Sequence, residues 1–248
     1  MRLFAKLTWV ELELFVREPL NLVFTLGFPA LVVWILGAAF GNVADPNDGA
    51  FGGIGPMDYY VPGYVGLAIA SVGLIGIPVH LAGYRERGVL RRFRASGLPA
   101  WTLLAAQVVV TLVLAAAGSV VLITVGVLLY DVHAPKSPLL ALVAFLLSAL
   151  SFAAIGVLLA AVLPTARAAQ GIGVIAFFVM MFLAGTDGPR ALFGHTLRRI
   201  GDALPLTHVV TLLQNAWVGF AVNIPALLAV LGSLVVSAVL AVRFLRWQ

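Results

Sequence analysis

Six stretches of the chain, Leu20–Gly41, Tyr60–Ala82, Trp101–Tyr130, Leu139–Leu163, Ala168–Thr186 and Ile224–Val242, contain no Asp, Glu, Lys or Arg. Each is long enough to cross a hydrocarbon core of about 30 Å at about 1.5 Å per residue. A bilayer core offers no water to backbone N–H and C=O groups, so such a segment must bond them internally, as a helix. The stretch beginning at Trp101 exceeds the minimum and has length to tilt or project. Of the 248 residues, 62% are hydrophobic and 10% charged, against roughly 45–50% and 25% in a soluble domain. A water-soluble fold is excluded, and six crossings leave no length for a second soluble domain. The expected fold is an all-α membrane protein with six transmembrane helices in one domain over 1–248.

Orientation follows from the cations. An even number of crossings returns both termini to one side, which then carries Arg2, Lys6, Arg17, Arg85, Arg87, Arg91, Arg92, Arg94, Arg167, Arg243 and Arg246. The other side carries Lys136, Arg190, Arg198 and Arg199, together with Asp45, Asp48, Asp58, Asp131, Asp187 and Asp202. The positive-inside rule makes the first side cytoplasmic. A multi-pass protein of the plasma (inner) membrane with both termini cytoplasmic is expected.

Residues 1–19 read as an N-terminal interfacial helix. Leu3, Leu7, Val10 and Leu14 recur at helical spacing, Arg2, Lys6, Glu13 and Arg17 occupy another face, and Pro19 marks the turn into the bilayer. The outer connection, 187–223, is too long and too patterned for a plain loop. Leu206, Val209, Val210, Leu213 and Trp217 form an apolar stripe, with Thr207, His208, Thr211, Gln214 and Asn215 opposite. Phe193, Leu197 and Ile200 suggest a shorter helix before it, so an outer re-entrant helical hairpin is expected between spans 5 and 6.

Sites of covalent chemistry are missing from the sequence. No acid or base interrupts a span except His80, which reads as a helix-end or interfacial residue, and this weakens proton-coupled transport. Lys6 follows Ala5 and Lys136 follows Pro135, so no phosphate loop ending in Gly-Lys-Ser/Thr exists and the chain is not expected to hydrolyse ATP. There is no His-Glu-x-x-His, no paired-carboxylate diphosphate motif and no Gly-x-Ser-x-Gly. The expectation is therefore no catalytic residue, no metal and no cofactor bound by this chain. The positive charge is topological, and no nucleic-acid partner is expected.

The remaining strong signal is the segment between spans 2 and 3, Gly83-Tyr-Arg-Glu-Arg-Gly-Val-Leu-Arg-Arg-Phe-Arg-Ala-Ser-Gly-Leu-Pro99. As a helix over 84–98 it places Arg87, Arg91 and Arg94 on one stripe with Leu90 and Phe93 beside them, ended by Gly97 and Pro99. Five arginines hold the loop inside and touch anionic lipid. Arginine forks beside apolar residues also suit docking into a groove on a soluble partner.

With these residues in view, the chain resembles the membrane subunits of ABC-2-type exporters, the permease family that includes daunorubicin-resistance and polysaccharide-export transporters. The resemblance runs through Arg17-Glu-Pro-Leu and Phe28-Pro29, Tyr59-Tyr-Val-Pro-Gly63, Glu86-Arg-Gly-Val-Leu-Arg-Arg-Phe-Arg94 with Gly97-Leu-Pro99, and Leu204-Pro-Leu-Thr-His208. It implies that the loop after span 2 is a cytoplasmic coupling helix seated on a separate ATP-binding subunit, which binds ATP and Mg. Two such subunits would work with this chain and a second membrane subunit, identical or homologous, in contact with membrane lipid. The contact residues implied are Arg85, Glu86, Arg87, Gly88, Leu90, Arg91, Arg92 and Arg94.

The resemblance also implies a substrate pathway lined by spans 2 and 5. Span 2 offers a small-residue stripe, Gly66, Ala70 and Gly73, which equally serves helix packing. Span 5 offers Phe177, Phe178, Met180, Met181 and Phe182, an apolar set that suits varied hydrophobic ligands and equally suits packing or lipid contact. A hydrophobic or amphipathic drug or lipid is the expected cargo. A secondary carrier or channel stands as the alternative, though no internal repeat of the kind such carriers use is found; a membrane enzyme or scaffold comes third.

Overall fold

Obliged to close their own backbone hydrogen bonds, the apolar stretches fold as helices. The computed structural model describes residues 2–45, 51, 53–95, 100–186, 190 and 193–244, and no strand occurs among the described residues. Helix α1 (Arg2–Val16) precedes span 1, built from α2 (Pro19–Leu22), a π-helical segment Val23–Gly27 and α3 (Phe28–Phe40). Span 2 repeats that construction with α4 (Pro56–Ser71), a π-helical segment Val72–Gly76 and α5 (Ile77–Glu86). A short α6 (Val89–Ala95) follows, then spans 3, 4 and 5 as α7 (Ala100–Tyr130), α8 (Pro138–Val162) and α9 (Ala166–Ala184). Helices α10 (His195–Asp202) and α11 (Pro205–Val218) precede span 6, α12 (Ile224–Phe244). Among the described residues, six helical spans are thus long and apolar enough to cross a membrane.

The two π-helical segments have a common cause. Each ends where a helix restarts with proline at its second position, Pro29 in α3 and Pro78 in α5. Proline has no N–H and its ring crowds the carbonyl four residues earlier, so the helix widens by a residue to pass it. Those carbonyls belong to Thr25 and Leu74, and each faces a glycine of a neighbouring span. A Cβ on Gly118 would lie 2.9 Å from the Thr25 oxygen, and one on Gly173 would collide with the Leu74 oxygen. Glycine is required at both places because the backbones touch.

Span 2 is the centre of the protein. It is buried along almost its whole length, whereas each of the other spans leaves much of its surface open. Span 1, α7, α8, α9 and α11 surround it. The main core runs through Tyr60, Tyr64, Leu67, Ile75, Phe152 and Phe177. A second core gathers Phe15, Tyr84, Leu90, Leu103 and Ala241, which brings α1, the ends of α5 and α12, α6 and the start of α7 to one end of the bundle. That end, where the first and last helices meet, is called the terminal end below, and the other the distal end.

One boundary, one helix face and one residue differ from the sequence reading. The helix expected over 84–98 is two helices: Tyr84 to Glu86 complete span 2, and α6 begins at Val89 after a turn in which Gly88 takes φ +68°. Only glycine adopts that conformation readily, so the helix breaks there; Gly97 and Pro99 lie outside the described residues. In α1 the inward face is Thr8, Glu11 and Phe15, while Val10 and Leu14 of the expected stripe are exposed, as lipid-facing residues would be. In α11 the expected stripe Leu206, Val209, Val210, Leu213 and Trp217 is buried against α4 and α8. Thr207, expected on the polar face, is buried too, because its hydroxyl donates to the Gly201 carbonyl at 2.6 Å and closes the α10–α11 corner.

Candidate functional site

The terminal end of span 2 carries two adjacent residues of opposite charge that engage two different helix ends. Arg85 Nη1 donates to the carbonyls of Ala160 (3.0 Å) and Ala161 (3.3 Å), and Nη2 donates to the Leu163 carbonyl. These are among the last carbonyls of span 4, orphaned by the helix end and carrying its partial negative charge. Glu86 Oε1 accepts from the Ala166 N–H at 3.2 Å, the first donor of span 5. Thr165 completes that N-cap, its hydroxyl accepting from Ala168 N at 3.1 Å. A cation on a C-terminus beside an anion on an N-terminus clamps the turn between spans 4 and 5 to the end of span 2.

Beyond the clamp, the residues expected to dock separate into two groups. Leu90 is 6% exposed and sits in the terminal-end core. With Arg85 and Glu86 engaged in the clamp, three of the eight are turned toward the chain itself. Arg87, Arg91 and Arg92 are exposed around the Gly88 turn, and the Arg87 guanidinium stands 5.9 Å from the centre of the Tyr84 ring. The Arg94 side chain lies outside the described residues.

A buried polar knot holds this end to α1. Glu11 is 1% exposed and accepts from Tyr84 Oη at 2.8 Å and from Gln107 Nε2 at 2.7 Å. His80 Nε2 lies 2.9 Å from Glu11 Oε2 and 3.0 Å from Tyr84 Oη, with Nδ1 3.6 Å from Glu18. The knot thus joins α1, α5 and α7. His80 is 4% exposed, so it is neither an interfacial nor a free helix-end group. The sequence reading missed Glu11. Its position between Thr8 and Phe15 at helical spacing was the available signal, an acid on the inward stripe of an amphipathic helix.

The pathway candidates lie inside the protomer. Gly66 abuts Val209, Val210 and Leu213 of α11, Ala70 is wholly buried, and a Cβ on Gly73 would strike the Phe152 backbone. Phe177 is 0% exposed, and it forms a four-ring cluster with Phe178, Phe24 and Phe28 at centroid distances of 5.6–6.1 Å. Met181 is buried beside it. The exposed stripe of span 5 is instead Ile172, Ile175, Val179 and Phe182, at helical spacing.

No curated protein matches this chain. The family model for the ABC-2 type transporter matches residues 2–218, from α1 through α11 and including the clamp, the knot and the basic turn. The chain belongs to the ABC-2 type transporter family, as a multi-pass membrane permease component of an ABC transporter.

Proposed function

We propose that this chain is the permease subunit of an ATP-driven exporter. Its terminal end faces the cytoplasm and receives an ATP-binding subunit on the Arg87, Gly88, Arg91 and Arg92 surface. ATP and Mg belong to that partner, since no phosphate loop exists here. Two such partners and a second membrane subunit complete the transporter in the inner membrane. The observation that carries the reading is the clamp. A push on the basic turn acts on Arg85 and Glu86, which hold the ends of spans 4 and 5. It therefore moves three spans together, as switching between inward and outward access requires.

The cargo is a hydrophobic or amphipathic molecule such as a drug or lipid. The exposed stripe Ile172, Ile175, Val179 and Phe182 is the face that span 5 presents to the second membrane subunit. Phe177, Phe178 and Met181, from inside the protomer, set its position rather than touch cargo. Double charge reversal, Arg91→Glu with Arg92→Glu, tests the docking face. The expected result is loss of co-purification with the co-expressed ATP-binding subunit and loss of transport, with unchanged folding of the permease alone. Retained association and transport would refute it.

A further inference from the structure

A cavity of about 390 Å³ lies at the distal end, between α4, α7, α8 and α11, well away from the basic turn. Its volume is in the range of small-molecule sites. Its walls are almost wholly apolar, including Val65, Ile123, Phe145 and Leu213, and Ser119 spends its hydroxyl on the Ala115 carbonyl at 2.7 Å. Val127 of span 3 and Leu142 of span 4 line it and are both exposed, which points its opening between these two spans, on an apolar flank that a bilayer would cover. No residue of span 5 lines it.

The roof is built and fixed. Trp217 Nε1 donates to the His133 carbonyl at 2.9 Å, while the N–H groups of Lys136 and Ser137 donate to the carbonyls of Trp217 (3.0 Å) and Ala216 (3.1 Å). Asp58 answers His133, with Oδ2 2.8 Å from its Nδ1. Lys136 is different: its stem lies along Gly219, and it makes no ion pair among the described residues. An apolar slot open to the bilayer, under a rigid roof that bears an uncompensated cation, matches an amphiphile with an acyl chain and an anionic head.

We propose that this cavity holds one acyl chain of an anionic phospholipid from the distal leaflet, its phosphate beside Lys136. The lateral opening favours a bilayer lipid over exported cargo, which would enter from a path between subunits. The site is independent of the ATP-binding partner, so its failure leaves the transport reading untouched.

Trp217 lines the cavity and is 6% exposed, which makes it a reporter. Replacing Trp9, Trp34, Trp101 and Trp247 by Phe leaves it as the single tryptophan. The chain is then reconstituted in phosphatidylglycerol vesicles with or without brominated acyl chains. Bromine quenching of Trp217 by at least twofold is expected, with Ala141→Phe in the cavity wall abolishing it. Lys136→Gln should weaken quenching by brominated phosphatidylglycerol to the level given by brominated phosphatidylcholine. In the unaltered tryptophan background, native mass spectrometry should show one bound phosphatidylglycerol fewer in Ala141→Phe. Unquenched emission, quenching indifferent to Ala141→Phe, no headgroup preference, or quenching only by a brominated hydrophobic drug would each overturn the proposal.

Discussion

Two parts of span 2, its α4 stretch around Gly66 and its terminal end, are held by opposite kinds of chemistry. Along α4, away from the helix ends, Gly66 packs against Val209, Val210 and Leu213 of α11, contacts without direction. At the terminal end the same span is held by Arg85, Glu86, His80 and Tyr84, through hydrogen bonds that each require one geometry. Apolar packing tolerates small displacements between helices, whereas a buried polar knot loses its partners when they separate. Motion delivered at the basic turn is therefore carried as a rigid unit there, and the smooth α4–α11 contacts around Gly66 absorb it.

The largest effect expected from breaking this contrast is at Glu11. Glu11→Ala strands His80, Tyr84 and Gln107, and should cost about 3–5 kcal/mol in reversible unfolding in detergent. Pairing it with His80→Phe should cost less than the sum of the two, since the groups share one network. Arg85→Gln comes next, at about 1.5–3 kcal/mol for lost charged hydrogen bonds. Beyond stability, it should leave ATP-binding-subunit association intact while uncoupling transport from ATP hydrolysis. Gly173→Val forces a side chain onto the Leu74 carbonyl and should cost about 1–3 kcal/mol by overpacking, read as a lowered unfolding temperature. The smallest effect is at the exposed pair Glu13–Arg17 on the same α1, where Arg17→Ala should change stability by about 0.3–0.5 kcal/mol. If Glu11→Ala costs no more than Arg17→Ala, the terminal end is not the locked one.

How far the sequence led depended on how local each signal was. The spans were legible because uninterrupted apolar runs have one stable backbone solution in a bilayer, and the stripe of α11 emerged from its own spacing. Gly88 reads as part of a continuous helix because a left-handed turn cannot be told from a helical glycine without its neighbours. The Arg85–Ala160 and Tyr84–Glu11 contacts join residues 75 and 73 positions apart, which no periodicity encodes. For the same reason Arg85 and Leu90 looked like docking residues: a basic, amphipathic segment has the same pattern whether it meets a partner or its own chain. In span 5, residue type alone singles out Phe177 and Met181, whereas the exposed stripe Ile172, Ile175, Val179 and Phe182 lies on another face of the helix.

The chain contains no cysteine, so single-cysteine variants report one position each. The central claim is that the exposed face of the basic turn meets the ATP-binding subunit while its neighbours hold the spans. Crosslinking of Arg91→Cys, Arg92→Cys and Leu90→Cys to the co-expressed subunit tests it most directly. The account predicts strong adducts from positions 91 and 92 and little from the buried position 90. Adducts from 90 alone, or from none of the three in a complex that still hydrolyses ATP and transports, would contradict it.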